Sequence, residues 1–132
     1  KMPVETAEVL KEGWFHTGDI GEFDEEGFLR ITDRKKDLFK TSGGKYIAPQ
    51  PIENRLKLNP LVTSAVLIGD KRRFPSTIIV PNWDTVRRKM GSQASVAELR
   101  RDPRVRTIFE EVVAEANKGL APYECIKKFE LL

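Results

Sequence analysis

The sequence predicts an α+β fold: a small sheet of a few strands covered by helices, preceded by a short β-hairpin piece. Three observations carry this reading. Val105, Ile108, Phe109, Val112, Val113 and Ala116 recur at steps of three and four, between a capping Asp102-Pro103 and a terminating Gly119. Residues 62–68 and 76–80 are short β-rich runs set off by Pro60, Gly69, Pro75 and Pro81. Residues 20–32 flank Asp24-Glu25-Glu26-Gly27, a tight turn in which glycine supplies a positive φ.

In chain order, Thr6 to Lys11 is expected to form a short helix capped by Thr6 and ended by Gly13. Trp14 to Asp19 reads as strand or loop, and Phe28 to Thr32 as the second arm of the hairpin. Asp33-Arg34-Lys35-Lys36-Asp37 holds no apolar residue, so it is a surface turn or a joint between two bodies. Leu38 to Thr41 is a short strand, Ser42-Gly43-Gly44-Lys45 a glycine loop, and Pro49 to Leu58 a helix with Ile52 and Leu56 inward. Asn59-Pro60 stops that helix. In 62–68, Val62, Val66 and Ile68 are expected on one side and Ala65 and Leu67 on the other, which predicts a central strand buried on both faces. A basic loop (69–75), a strand (76–80) and a helix (82–90) with Trp83, Val86 and Met90 inward follow. Gly91-Ser92 breaks that helix and 95–101 forms another. After the helix at 103–118, Ile126 to Leu131 is a last strand.

Composition narrows the function. The chain has 132 residues, 39% hydrophobic and 33% charged, an ordinary soluble balance. No apolar run reaches the ~18 residues of a membrane span, and no apolar stretch follows Lys1-Met2 as a signal peptide would need. A single cysteine, Cys125, excludes an internal disulfide and a cysteine-rich zinc site, and one histidine, His16, excludes any site needing two. The net charge of +3 is too small to argue for nucleic acid. Its distribution is uneven, with six basic and nine acidic side chains in residues 1–36 against 17 and 11 in residues 37–132. An acidic piece therefore precedes a basic one, which implies two units. The start of the chain reads as that of a piece cut from something larger.

Three residue groups could carry chemistry. Asp19, after Gly18, could accept two hydrogen bonds from a vicinal diol, or merely satisfy its own turn. Arg34 offers a planar fork for hydroxyls or phosphate, or a solvated surface charge. Ser42-Gly43-Gly44-Lys45 lacks the P-loop spacing, yet its two glycines let backbone lie against a ligand; a plain tight turn is the alternative. His16 and Cys125 read as structural.

The three motifs in order change the weight of each. Gly13-Trp14-Phe15-His16-Thr17-Gly18-Asp19-Ile20-Gly21, then Asp33-Arg34-Lys35-Lys36-Asp37, then Thr41-Ser42-Gly43-Gly44-Lys45-Tyr46-Ile47-Ala48-Pro49-Gln50-Pro51-Ile52-Glu53, resembles the adenylate-forming enzyme superfamily. The last stretch, with Phe74-Pro75-Ser76-Thr77-Ile78-Ile79-Val80-Pro81, resembles the long-chain fatty acid–coenzyme A ligase branch.

The resemblance implies ATP-dependent formation of an acyl-adenylate, then attack by the coenzyme A thiol. It also implies ATP, coenzyme A and Mg2+ as the parent enzyme's cofactors and a fatty acid as substrate, all met through a large domain of which residues 1–35 are the tail. On that reading none of them binds the fragment alone, which is not expected to catalyse. Residues 36–132 would be the lid that rotates between half-reactions. Asp19 and Arg34 would hold the nucleotide ribose, Lys36 would be the hinge, and Ser42, Gly43, Gly44 and Lys45 would form the lid loop facing the coenzyme A tunnel. The family's catalytic lysine is expected beyond Leu132, and neither Lys127 nor Lys128 is assigned that role. No nucleic-acid partner is expected, and the implied location is cytoplasmic or membrane-peripheral. A peptide-synthetase adenylation domain or an aryl-acid ligase is the rival within the superfamily. From another class, Arg72-Arg73, Arg87-Arg88-Lys89 and Arg100-Arg101 would suit a basic binding module.

Overall fold

Residues 3–34 and 37–132 are described by a computed structural model, Asp33 by its backbone alone. The chain divides into two units, residues 1–38 and 39–132.

The first unit opens with α1 (Pro3–Val9), a short helix starting on a proline whose fixed φ suits a first turn. Leu10–Lys11 (β1) and Trp14–Phe15 (β2) pair antiparallel, with Lys11 opposite Trp14. The two intervening residues, Glu12 and Gly13, have φ of 52° and 82°. Positive φ at both centres marks the hairpin turn that matches strand twist. This corrects the expected Thr6–Lys11 helix: Gly13 makes a hairpin turn instead of ending a helix, so Leu10 and Lys11 are strand.

Asp19–Phe23 (β3) and Leu29–Arg34 (β4) form the expected second hairpin. Asp24 organises its turn: its Oδ1 accepts from the Glu26 and Phe28 N–H groups at 3.0 and 2.8 Å. Gly27 stands at φ 86°. The charged run is not all joint, because Asp33 and Arg34 belong to β4. No described residue of 3–38 is buried, and Trp14 and Phe23 are 76% and 74% exposed. Among its described residues this unit has no core of its own.

The second unit holds one. Phe39–Lys40 (β5) and Tyr46–Ile47 (β6) make a small hairpin apart from the main sheet. Pro49–Lys57 (α2) follows, with Ile52 and Leu56 buried as expected. The main sheet has three strands, Val62–Ile68 (β7), Ser76–Pro81 (β8) and Lys128–Leu131 (β9), in the order β7-β8-β9. β7 and β8 are antiparallel. β8 and β9 are parallel, so the chain must cross over between them. Trp83–Met90 (α3), Val96–Arg101 (α4) and Pro103–Asn117 (α5) form that crossover.

Each crossover helix begins on a side-chain cap, of which Asp102 was expected from the sequence. Asn82 caps α3, and Gly91 ends it at φ 62°. Ser95 and Glu98 make a reciprocal capping box on α4, and Asp102 caps α5. Val105, Phe109, Val112, Val113 and Ala116 of α5 pack with Ile52, Leu56, Ala65, Leu67, Ile79 and Leu131.

Two expectations about β7 fail. It pairs with β8 alone, so β8 is the central strand. It is also not buried on both faces: Val66 is 54% exposed and its cross-strand partner Ile78 is 36% exposed. A register shift between Val62 and Ser64 is the reason for the changed pattern. The extra residue turns Val62 to the same buried side as Ala65 and Leu67. An apolar run reports what a strand could bury, not what covers it.

Candidate functional site

The residues singled out from the sequence fall into two places, one in each unit. In the first unit, strand register sets Asp19 directly opposite Arg34. The Arg34 guanidinium lies 3.1 Å from Asp19 Oδ1, with the two side chains 26% (Asp19) and 61% (Arg34) exposed. The approach to Asp19 is held locally: its N–H donates to the Thr17 hydroxyl at 3.2 Å, and Gly18 stands at φ 78°. Downstream, the Thr32 hydroxyl donates to the Ile20 carbonyl at 3.2 Å, tying the strands together. The result is a carboxylate acceptor beside a guanidinium donor at the open end of a hairpin. Such a pair can engage both hydroxyls of a diol, one group accepting and the other donating. Lys36, the expected hinge, lies outside the described residues.

In the second unit, Ser42, Gly43, Gly44 and Lys45 form the turn between β5 and β6. Thr41, buried, closes it. Its N–H donates to the Lys45 carbonyl at 2.9 Å, and its hydroxyl accepts from the Lys45 N–H at 3.3 Å. Gly44 donates back to the Thr41 carbonyl at 2.9 Å and has φ 81°, a conformation that favours glycine. Gly43 and Gly44 have almost nothing in front of them: an added Cβ would meet only Thr41 Oγ1 at 3.9 Å and Lys40 Cε at 3.8 Å. The turn is thus closed behind and open in front.

What the sequence did not show is the neighbour of this turn. The Ser42 N–H donates to the Arg72 carbonyl at 2.9 Å, and the Lys71 N–H donates to the Lys40 carbonyl at 2.8 Å. The glycine turn and the basic loop are therefore one assembly. Lys71, Arg72, Arg73, Phe74, Ser76 and Lys128 line an open groove of about 390 Å³ beside it. The Lys128 ammonium sits 5.6 Å from the Phe74 ring centre, and that of Lys45 lies 5.7 Å from the Tyr123 ring centre. Cations with an aromatic face suit a ligand carrying phosphates and a flat ring. Arg72 and Arg73 were legible only as a charge pair. Lys128 joins them through the parallel β8–β9 pairing, which sets Ser76 opposite Lys128.

His16 and Cys125 take no part in either place. The His16 N–H donates to the Val9 carbonyl. The Cys125 thiol faces the Ala121, Leu120 and Asn117 carbonyls at 3.5, 3.9 and 4.0 Å. Among the described residues no group of three or more His, Cys, Asp or Glu could hold a metal ion. Nor, among them, is any helix long and apolar enough to cross a membrane.

A sequence model of the family described as "AMP-binding enzyme C-terminal domain" matches residues 36–132. The chain belongs to this family. Among relatives of this AMP-binding C-terminal domain, a long-chain-fatty-acid–CoA ligase of Mycobacterium tuberculosis is 38% identical over 133 residues, 96% of this chain and 22% of that protein. Long-chain-fatty-acid–CoA ligase 1 of Homo sapiens is 39% identical over 138 residues, 99% of this chain and 20% of that protein. The chain spans about a fifth of the length of these curated relatives. Among solved structures, O-succinylbenzoate coenzyme A synthetase from Bacillus subtilis, in complex with AMP, superposes with a TM-score of 0.68 at 26% identity, over 100% of this chain and 23% of that one. The adenylation domain of a carboxylate reductase from Mycobacterium chelonae shares the fold with a TM-score of 0.78 at 24% identity, over 100% of this chain and 20% of that one.

Proposed function

We propose that this chain is the C-terminal part of a long-chain fatty acid–coenzyme A ligase. Residues 1–35 are the tail of its large domain and residues 36–132 its lid. The observation that carries the reading is the 38–39% identity to bacterial and human long-chain ligases along nearly the whole chain. The enzyme joins ATP and a fatty acid into an acyl-adenylate with release of pyrophosphate; coenzyme A sulfur then attacks the acyl carbon and AMP leaves.

On this reading Asp19 and Arg34 hold the ribose of the adenylate, the carboxylate accepting from the hydroxyls and the guanidinium donating. Their register-enforced pairing supports it, because each orients the other before ligand arrives. Ser42, Gly43, Gly44 and Lys45 face the arm of coenzyme A. The bare front of the two glycines supports that role, since a narrow ligand can pass close to backbone. The adjoining cationic groove is chemically suited to the cofactor's phosphates. Mg2+ would travel with the ATP phosphates.

The test is Asp19→Ala in the full-length enzyme. Losing a charged acceptor for ribose hydroxyls costs about 1.5–3 kcal/mol, or roughly one to two decades in affinity. The expected result is a rise of that size in the Michaelis constant for ATP, read in a pyrophosphate-release assay. An unchanged constant with unchanged turnover removes Asp19 from the site.

A further inference from the structure

We infer that Gly69 is a positioning residue for the glycine turn at 41–45 and, through it, for the thioester-forming step. This rests on the reading that the turn meets coenzyme A. Gly69 ends the main-sheet strand β7 and begins the basic loop. Its φ lies outside the left-handed region, so backbone freedom does not explain a glycine there. Space does. A Cβ on Gly69 would stand 2.4 Å from Phe39 Cε2, 2.8 Å from Cζ and 3.3 Å from Cδ2. The Phe39 ring occupies the place a side chain would need.

Phe39 is the first residue of β5, which runs directly into the turn. Among the described residues β5 and β6 pair with each other and not with the strands of the main sheet. Ile47 anchors β6 in the core, and the β5 side of the hairpin is seated by contacts with the loop after Gly69. These are the Phe39 ring on the Gly69 backbone, the Lys71 N–H to the Lys40 carbonyl at 2.8 Å, and the Ser42 N–H to the Arg72 carbonyl at 2.9 Å. The Arg72 N–H closes the loop onto the Gly69 carbonyl at 3.0 Å, with Lys71 between them at φ 58°. All of these contacts start within four residues of Gly69. A methyl there must turn the ring away or push β5 aside, and a displaced β5 shifts the turn. A misplacement of about 1 Å at a reacting assembly can cost on the order of a hundredfold in rate.

The experiment measures both half-reactions in the full-length enzyme: ATP–pyrophosphate exchange for adenylation, and acyl-coenzyme A formation from preformed acyl-adenylate. Gly69→Ala is expected to leave the exchange within about twofold and to slow thioester formation about tenfold or more. Adding Phe39→Leu to Gly69→Ala should recover most of the loss, since a smaller side chain leaves room for the methyl. In the 132-residue chain, Gly69→Ala should speed hydrogen exchange of the Ser42 and Lys71 amides and leave the Ile79 amide protected. If Gly69→Ala does not fold, Phe39→Leu alone, which loosens the seat without a clash, should show the same split between half-reactions. Equal losses in both half-reactions, or an intact thioester step, overturn the proposal. Gly44→Val, which strains the turn itself, separates the two ideas. If it slows thioester formation while Gly69→Ala does not, the turn reading stands and the positioning role falls. If neither variant touches that step, the turn is not at coenzyme A and both fall.

Discussion

At the scale of single residues, the side chains with assigned roles differ in how they reached their places. Asp19 and Arg34 are fifteen positions apart in sequence and adjacent in space, because a hairpin with a short turn brings its ends together. Motif spacing named both; register explains their contact. Gly69 carries no motif, and its need for a bare Cα comes from a ring thirty positions earlier. Lys36, two positions after Arg34, is a hinge candidate only through the family resemblance. If it is the hinge of a rotating lid, backbone freedom there matters more than its charge, since the rotation is a change in backbone dihedrals. Proline fixes φ near −65° and removes the N–H. Lys36→Pro in the full-length enzyme is therefore expected to favour one lid pose and slow thioester formation far more than adenylation, with Lys36→Ala close to wild type. Timing the half-reactions separately checks it; equal slowing of both by proline, or alanine as harmful as proline, would remove the hinge role from Lys36.

At the scale of elements, the start of α5 was legible through Asp102, whereas the caps of α3 and α4 were named only by the structure. Asn82, Ser95 and Asp102 all cap through side-chain oxygens that accept backbone N–H groups. Two of these starts carry a pH signature. The Ser95 N–H, then its hydroxyl, holds the Glu98 carboxyl below its ordinary value of 4.5. The Arg104 side chain, then its backbone N–H, holds the Asp102 carboxyl below 3.8. Both folded-state values are depressed, so the unfolded chain binds more protons as pH falls. Their stabilisation is present above the unfolded values and is lost as pH drops through the folded ones. The melting temperature should therefore decline below about pH 4.5, and less steeply in Glu98→Gln and Asp102→Asn, whose groups do not titrate. Thermal melts from pH 7 to about pH 3 test this; variant curves parallel to wild type would show that these starts do not sense pH.

At the scale of the whole molecule, the two units differ in what holds them. The second unit surrounds Phe109, Leu56, Ile79 and Val86, all 0% exposed. Phe109→Ala should cost about 3–5 kcal/mol, because the lost burial is compounded by a cavity. The first unit buries none of its described residues, so its elements lack the packing that normally sustains short strands. Limited proteolysis of the 132-residue chain should therefore cut within residues 3–38 before it cuts within 39–132. Phe109→Ala should make the second region susceptible as well. Early cleavage within α5 of the wild-type chain would contradict this ordering. The basic-module alternative also looks different at this scale. Arg72 and Arg73 line a groove beside the glycine turn, and Arg87 is paired with Asp84 at 3.1 Å.

The sequence by itself determined what depends on neighbours along the chain. The Asp102 cap, the helix at 103–118, the turn at 24–27 and the three motifs are all decided within a few residues by hydrogen bonding, φ preference and periodicity. For the same reason it misplaced the first helix, where Gly13 could end a helix or turn a hairpin and local chemistry permits both. Tertiary structure alone decided what depends on partners far apart in sequence. The bulge between Val62 and Ser64 set which side of β7 is buried. The parallel pairing of β9 made β8 central and brought Lys128 to the basic loop. The seat of the glycine turn against Gly69 and Arg72 is likewise invisible in sequence, because a void filled by a distant ring leaves no periodicity or charge pattern to read.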